Sequence, residues 1–450
     1  MSRREYHTFF AFIFVFLGFI SGCAHSAPYP YDDIAAIPQE LEPFVQNSRF
    51  MSESEQLFWE NHYREQRLIA WEDNYQYDIN RIVWPWTTYT PDRGFGANKK
   101  PLSQSWFSRL AQSADLANYP SDKRKAITLR LVHLRNFPTH EPFFRSFDRP
   151  GQGFPFDLLQ NSTLHPMTPV RISHQSAGGD WLFIESDHAH GWVKPHDVAI
   201  LSESQAEVLA KAPLLAVVAE RTPVRSKHGS YLFTADIGTL LPVKFDASGK
   251  KTLLVVDRES QGRARLVKGK VNTHAMSLWP LPAIDSSLSA LAQQTIGQTY
   301  GWGGLYGGRD CSALVRDLLT PFGRHLPRNS RQQSLAGQLE NVSNLQAHQK
   351  EQALIERGRP FATLVNFPGH VGLYLGTYDD HAVILHSAWG HRTRNWRGVE
   401  GRSVMGQTVV TTLRAGSGLA GHGSAGLVDR MTSYTWIDSQ VEVDPELRLR

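Results

Sequence analysis

"GWGGLYGGRDCSALVRDLL" runs from Gly301 to Leu319 and holds one of only two cysteines in 450 residues. Glycines and aromatics lead into Asp310-Cys311-Ser312. Leu314, Val315, Leu318 and Leu319 follow at the spacing of one apolar helix face, and Pro321 and Gly323 predict its end. Cys311 therefore opens a helix, where the dipole and unpaired N–H groups favour a thiolate. The glycines before it leave room for a substrate chain against the backbone.

Outward from this stretch, "SSLSALAQQTIG" (286–297) predicts a preceding helix. Downstream, "FATLVNFPG" (361–369), "HVGLYLGTY" (370–378) and "HAVILHSAW" (381–389) read as strands, with "QTVVTTL" (407–413) as a further candidate. A cysteine-bearing helix on an antiparallel sheet is an α+β arrangement. A nucleophilic thiol needs a base, and the base needs an orienting partner. His370 opens a strand directly after Pro368-Gly369, facing the helix packed on that side. His386 lies on the next run, within reach across a turn at Asp379-Asp380. His381 and His391 are nearby rivals for the third role.

A chain of 450 residues exceeds one ordinary core. "PLPAIDSS" (280–287) marks the boundary before the cysteine region. From about Lys125, short alternating runs broken by Gly, Pro and Asp predict small all-β units over 127–203 and 212–282. "DWLFIES" (180–186) turning into "GWVKPHDVAI" (191–200), and "TPVRIS" (168–173) echoed by "TPVRS" (222–226), resemble bacterial SH3-like domains. One larger β-sandwich is the alternative. Residues 28–126 read as a helical clip, with Ser52 or Ser54 capping "SESEQLFWENHYREQRLIAWE" (52–72) and nothing catalytic in it.

At the N-terminus, Arg3 and Arg4 precede an apolar run from Phe9 to Ile20, too short for the ~20 residues of a membrane span. "ISGC" then resembles a bacterial lipobox, making 1–23 a lipoprotein signal and Cys23 the lipidated residue. The rival is an ordinary signal cut near Ala27. With Ala24 following, the lipobox resemblance implies an exported, periplasmic protein at the outer membrane, anchored through its lipid. Cys311 is then left without a disulfide partner in an oxidising compartment, so it is either buried and inert or kept for chemistry.

The net charge of +4 with no dense Lys/Arg tract gives no expectation of nucleic acid. "DHAHGW" (187–192) places His188 and His190 on one face of a β-run, but no third ligand is evident, so no metal is expected. "GWGGLYGG" lacks the Gly-Lys-Ser/Thr of a phosphate loop. No cofactor is implied.

Taken together, "YGWGG", "RDCSALV", "GHVGLYLG" and "LHSAWG" resemble the NlpC-type family of bacterial cell-wall cysteine peptidases over about 285–415. "HLRNFPTHEPFFRS", "GQGFPFDLLQNSTLHPMTPVRI" and "LPRNSRQQ" are similar to a subgroup with a helical clip, two SH3-like domains and the peptidase. The resemblance implies a papain-like peptidase over 285–450, with Cys311 as nucleophile, His370 as base and His386 as third member. It places the Tyr300 hydroxyl near the site and Asp310, Ser312 and Ser330 in the substrate pocket. It implies a monomer that cleaves the D-γ-glutamyl-diamino-acid bond of peptidoglycan stem peptides, and muropeptides with a free N-terminal L-alanine as substrates. The sequence departs from the family in Ala313, where glycine is usual, and in a longer loop between the histidine strands. Competing readings are a non-catalytic wall-binding lipoprotein and an amidase or acyltransferase on the same fold.

Overall fold

The computed structural model describes residues 32–419 and 425–439. Cys23 and the apolar run before it lie outside the described residues. The clip holds α1 (Asp32–Ala36), α2 (Glu53–Leu68), α3 (Asn80–Thr88) and α4 (Gln104–Ala114). Ser52 caps α2 in a capping box with Glu55, which satisfies two orphan backbone donors reciprocally.

Two seven-stranded antiparallel sheets follow. The first is built from β1 (Lys125–Thr128), β2 (Val132–Arg135), β3 (Gln160–Leu164), β4 (Pro169–Gln175), β5 (Leu182–Glu185), β6 (His190–Val193) and β7 (Val198–Ile200). After α5 (Glu203–Lys211), the second takes β8 (Leu214–Val217), β9 (Thr222–Ser226), β10 (Tyr231–Ala235), β11 (Leu240–Phe245), β12 (Lys251–Arg258), β13 (Ala264–Lys270) and β14 (Met276–Leu278). Their orders, β3-β2-β6-β5-β4-β1-β7 and β10-β9-β13-β12-β11-β8-β14, are the same topology strand for strand. The repeat is real, but the echoed TPVR segments are not its signature. One forms β4 and the other β9, and the topological counterpart of β9 is β2. The first sheet begins at Lys125, so it takes in the last two residues assigned to the clip.

The C-terminal unit has α6 (Asp285–Gln293), α7 (Cys311–Leu319), α8 (Ser330–Gln333) and α9 (Ala347–Arg357). Its six-stranded antiparallel sheet has the order β15-β20-β16-β17-β18-β19. The strands are β15 (Gln338–Asn341), β16 (Thr363–Phe367), β17 (His370–Tyr378), β18 (His381–Arg394), β19 (Glu400–Thr412) and β20 (Ser433–Trp436). The expected strands are present, and β15 and β20 extend the sheet beyond them. The connection between the histidine strands is not long. β17 and β18 are joined by Asp379 and Asp380, both at positive φ (47° and 63°), as a tight hairpin turn requires.

One apolar core runs through three units. Leu41, Phe44 and Trp59 of the clip, Leu214, Ile237 and Trp279 of the second barrel, and Leu314, Leu318, Val371 and Leu385 of the C-terminal unit are buried together. A second cluster joins the two barrels, with Ile127, Met167 and Ala199 against Leu215, Val224 and Phe233. Burial of this kind is the main favourable term in folding and fixes each unit's position.

Candidate active site

Cys311 is the first residue of α7 and is 7% exposed. Asp310 caps the helix by accepting from the Ala313 N–H at 2.9 Å. Its carboxylate is fully engaged. Arg328 grips both oxygens (Nη1–Oδ1 3.0 Å, Nη2–Oδ2 2.6 Å), the Ser312 hydroxyl donates to Oδ1 at 3.1 Å, and the Gly303 N–H donates to Oδ2 at 3.1 Å. Burial works to raise the Asp310 carboxyl, but Arg328 and these donors outweigh it and hold it below the ordinary range. Ala313 sits buried beside the cap without displacing it.

The histidines meet as expected. His370 Nε2 lies 2.8 Å from His386 Nδ1, and His386 Nε2 lies 3.2 Å from the Thr411 hydroxyl. The register Leu373↔Leu385 sets His386 opposite Gly372, where a Cβ would stand 3.5 Å from the His386 Cβ and 2.9 Å from Ile384. Glycine there keeps the diagonal to His370 open. A consistent proton assignment has His370 Nε2–H donating to His386 and His386 Nε2–H donating to Thr411, which leaves His370 Nδ1 as an acceptor. His381 instead lies 3.5 Å from Glu351 at the far end of β18.

The histidines do not face α7 as anticipated. Val371, Leu373 and Leu385 join the core with α7, whereas Tyr374 and Ile384, which share a sheet face with His370 and His386, join a different cluster. The thiol lies instead at the beginning of β17, hydrogen-bonded by the Val371 N–H, one residue from His370.

Electrostatics differ from the expectation of a thiolate at rest. Burial, then the Asp310 carboxylate, pushes the Cys311 thiol up to about 12, and the Val371 and Ser312 N–H groups only partly oppose this. Burial and then Arg430 lower His370 to about 4, and burial, followed by the neighbouring His370 and His391, holds His386 well below the ordinary imidazole range. The resting pair is thus thiol and neutral imidazole. Burial and the nearby Asp310 and Cys311 keep the Tyr300 hydroxyl protonated.

A cavity of about 720 Å³ opens over Cys311. Tyr300, Asp310, Ser312 and Ser330 all line it, as does Arg328. Its other walls come from elsewhere: Asp78, Arg81 and Trp84 of the clip, and Gln160, His188 and His190 of the first barrel. The clip, silent in sequence, forms part of the site. The glycines also serve an unforeseen purpose. A Cβ on Gly303 would sit 2.9 Å from Gln160, and one on Gly304 would sit 2.4 Å from Thr163 Oγ1. They admit β3 of the first barrel, and Gln160 fastens it by donating to the Gly303 carbonyl at 2.8 Å. His188 is committed to this interface, paired with Asp187 at 2.6 Å and Arg316 at 2.6 Å. Among the described residues no group of three or more His, Cys, Asp or Glu is placed to hold a metal.

Thr411 and Arg328 were missed in the sequence. The only trace of Arg328 was its place in "LPRNSRQQ", and Thr411 carries no local signal.

Comparison with known families gives four matches. Residues 297–409 match the NlpC/P60 family, 142–194 an SH3 domain of SH3b1 type, 202–244 an SH3 domain of SH3b2 type, and 9–119 the N-terminal NLPC_P60 stabilising domain. Among solved structures, an NlpC/P60 endopeptidase from Photobacterium damselae subsp. piscicida is 23% identical, with a TM-score of 0.80 over 90% of this chain and 98% of that one. That likeness is one of fold. An NlpC/P60 family protein from Bacillus cereus ATCC 10987 is 16% identical, with a TM-score of 0.44 over 69% and 98% of the two chains. No curated protein sequence matches.

Proposed function

We propose, from the match of residues 297–409 to the NlpC/P60 family, that the chain is a cysteine endopeptidase of peptidoglycan stem peptides, cleaving the D-γ-glutamyl-diamino-acid bond. The observation that carries this reading is the His370–His386–Thr411 relay beside a buried thiol at a cavity floor. The pair is neutral at rest, so the Cys311 proton passes to His370 Nδ1 as sulfur attacks the γ-glutamyl carbonyl. The Cys311 N–H, which has no intrahelical acceptor at the first helical position, and the protonated Tyr300 hydroxyl receive the oxyanion. His370 then protonates the leaving amine, leaving a thioester and the diamino-acid fragment. Water next adds to the thioester while giving a proton to His370, and collapse of the adduct returns that proton to the departing sulfur and frees the glutamyl carboxylate.

The clip and first barrel close over one side of the cavity through Arg81, Trp84 and His188. That enclosure supports a short ligand with a free N-terminal L-alanine, and so the release or recycling of muropeptides. The lipobox at Cys23 supports an exported protein held at the outer membrane.

Mass spectrometry of purified stem peptides is the test. The wild type is expected to cut free L-alanyl peptides in preference to N-acylated or glycan-linked ones, and Cys311→Ala to lose at least about a thousandfold in rate. Equal cutting of both peptide classes overturns the recycling reading and leaves a general wall hydrolase. Undiminished cleavage by Cys311→Ala removes the enzyme reading itself.

A further inference from the structure

β18 and β19 outrun the sheet whose edge they form. β18 pairs with β17 over residues 381–385, whereas residues 390–394 pair with 400–404 of β19 alone. The register shifts between Ala388 and Gly390, a β-bulge that ends the shared sheet and begins a two-stranded ribbon. Such a ribbon is marginal in water by itself, so an apolar tip on it calls for an explanation.

The tip is closed by its own hydrogen bonds. The Asn395 N–H donates to the Val399 carbonyl at 3.0 Å, and the Gly398 N–H to the Asn395 carbonyl at 2.9 Å. The Asn395 side-chain oxygen accepts from the Arg397 and Val399 N–H groups at 3.0 and 2.9 Å. Gly398 takes the positive φ of 76° that closes the turn. This fixed turn presents Trp396 and Val399 at 86% and 60% exposure, and Val404 adds an exposed side chain lower on the ribbon. Among the described residues no large apolar side chain is more exposed than Trp396. Apolar side chains grouped in this way mark an interaction surface.

The ribbon is also cationic. Between Gly390 and Val404 it carries Arg392, Arg394, Arg397 and Arg402 against a single carboxylate, Glu400. Glu400 engages Arg392 and also Arg402, the latter at 2.8 Å. Arg394 and Arg397 are exposed and pair with no carboxylate among the described residues, and the Arg397 guanidinium lies 4.5 Å over the Trp396 ring. An indole beside unpaired cations suits the boundary of an anionic bilayer, where the ring sits at headgroup level and arginines meet lipid phosphates. A stable protein interface buries roughly 1,200–2,000 Å² in total, far more than one turn with a single ring supplies.

We propose that the tip of this ribbon docks on an anionic phospholipid surface, with Trp396 and Val399 entering the headgroup layer and Arg394 and Arg397 contacting phosphates. Neither the thiol chemistry nor lipidation at Cys23 is needed for it. The base of the ribbon borders the glycine loop, where the Tyr300 N–H donates to the Gly406 carbonyl at 2.8 Å. Docking therefore tethers the loop beside Cys311 to the bilayer through a short arm.

Quenching of tryptophan fluorescence by brominated lipid tests this on the full chain. The first tryptophan is Trp59, so an N-terminal segment in the bilayer gives no signal of its own. The probes are vesicles of brominated phosphatidylcholine, with and without phosphatidylglycerol. The wild type is expected to be quenched when phosphatidylglycerol is present, and high salt should reverse this. Trp396→Phe should lose the quenching. Arg394→Gln/Arg397→Gln should raise the lipid concentration for half-maximal quenching by roughly tenfold or more. Both variants should keep the wild-type thermal midpoint and the cleavage of soluble stem peptide, since these side chains are exposed and outside the site. Absence of quenching in the wild type overturns the proposal, as does quenching unchanged in Trp396→Phe. Equal quenching with and without phosphatidylglycerol overturns it too. Where quenching is absent, Trp396-dependent sedimentation with isolated peptidoglycan assigns the tip to the wall, and a Trp396-dependent dimer assigns it to a second copy of the chain.

Discussion

The two barrels share one topology and do different work. In the second, β9 and β10 are joined by residues 227–230, a short turn in solvent. In the first, the equivalent β2 and β3 are separated by residues 136–159. That excursion carries Phe137, Phe143 and Leu159 into a core with Trp106 and Phe107 of the clip, and it supplies walls to a second cavity. The interfaces differ in kind as well. The second barrel meets the C-terminal unit largely through the shared apolar core. The first meets it largely through polar contacts, beside the rings of Phe156 and Trp302: Gln160 to Gly303, Trp302 Nε1 to the Asp157 carbonyl at 3.0 Å, Arg328 to the Ser162 hydroxyl at 2.6 Å, and Asp187 to His325 at 3.0 Å. An apolar seam buttresses, whereas a polar seam can leave a wet cavity beside it. Strand order alone does not assign either role.

The sharpest way to break this contrast is Arg309→Met. Arg309 is the charged bolt of the second barrel's seam, binding Glu220 at 2.9 Å and Asp317 at 2.8 Å. Its loss leaves two carboxylates short of their partner in a buried place and should cost about 3–5 kcal/mol in urea unfolding. A cost below about 1 kcal/mol would mean that the apolar seam suffices by itself.

Acid should act chiefly on the other seam. Burial lowers His188, His190 and His370 to about 4, while His228 and His274 of the second barrel are exposed. The unfolded chain takes up these protons near its ordinary value of about 6.5, so it binds more protons than the fold between about 6.5 and 4. Stability should therefore be complete above that window and decline as pH falls through it. Thermal midpoints at pH 7.5, 6 and 4.5 check this, and a flat profile would contradict the buried neutral histidines. Activity should persist down to about pH 4 for as long as the fold survives, because His370 stays neutral.

Matched substitutions at the first residues of β3 and β10 give the finest comparison. Gln160→Leu removes the tie to the glycine loop and should cost about 1–3 kcal/mol in transition-state stabilisation, read as a fall in kcat/KM. Tyr231→Ala, at the exposed counterpart, should change stability by no more than about 0.5 kcal/mol and leave cleavage untouched. Equal effects would erase the distinction between wall and buttress.

Much of the C-terminal unit was legible because its signals are local. The apolar period after Cys311 foretold α7, and the alternating runs foretold β16 to β19. His386 was separable from its neighbours once two strands and a turn were recognised. Thr411 was not, since it meets His386 only through the pairing of β18 with β19. The TPVR echo misled for a related reason: short strand motifs recur wherever β-structure does, without respect to position in a sheet.

The sequence by itself determined that Cys311 opens a helix, that two strands and a turn bring His370 to His386, and the fold class, because residue type, period and turn chemistry are properties of neighbours along the chain. The tertiary structure alone decided that the glycines seat a barrel, that Asp310 is consumed by Arg328, and that the clip walls the cavity. It also decided that the thiol rests protonated. Each of these depends on which distant surface arrives to exclude water, and that desolvation is a property of the assembled fold.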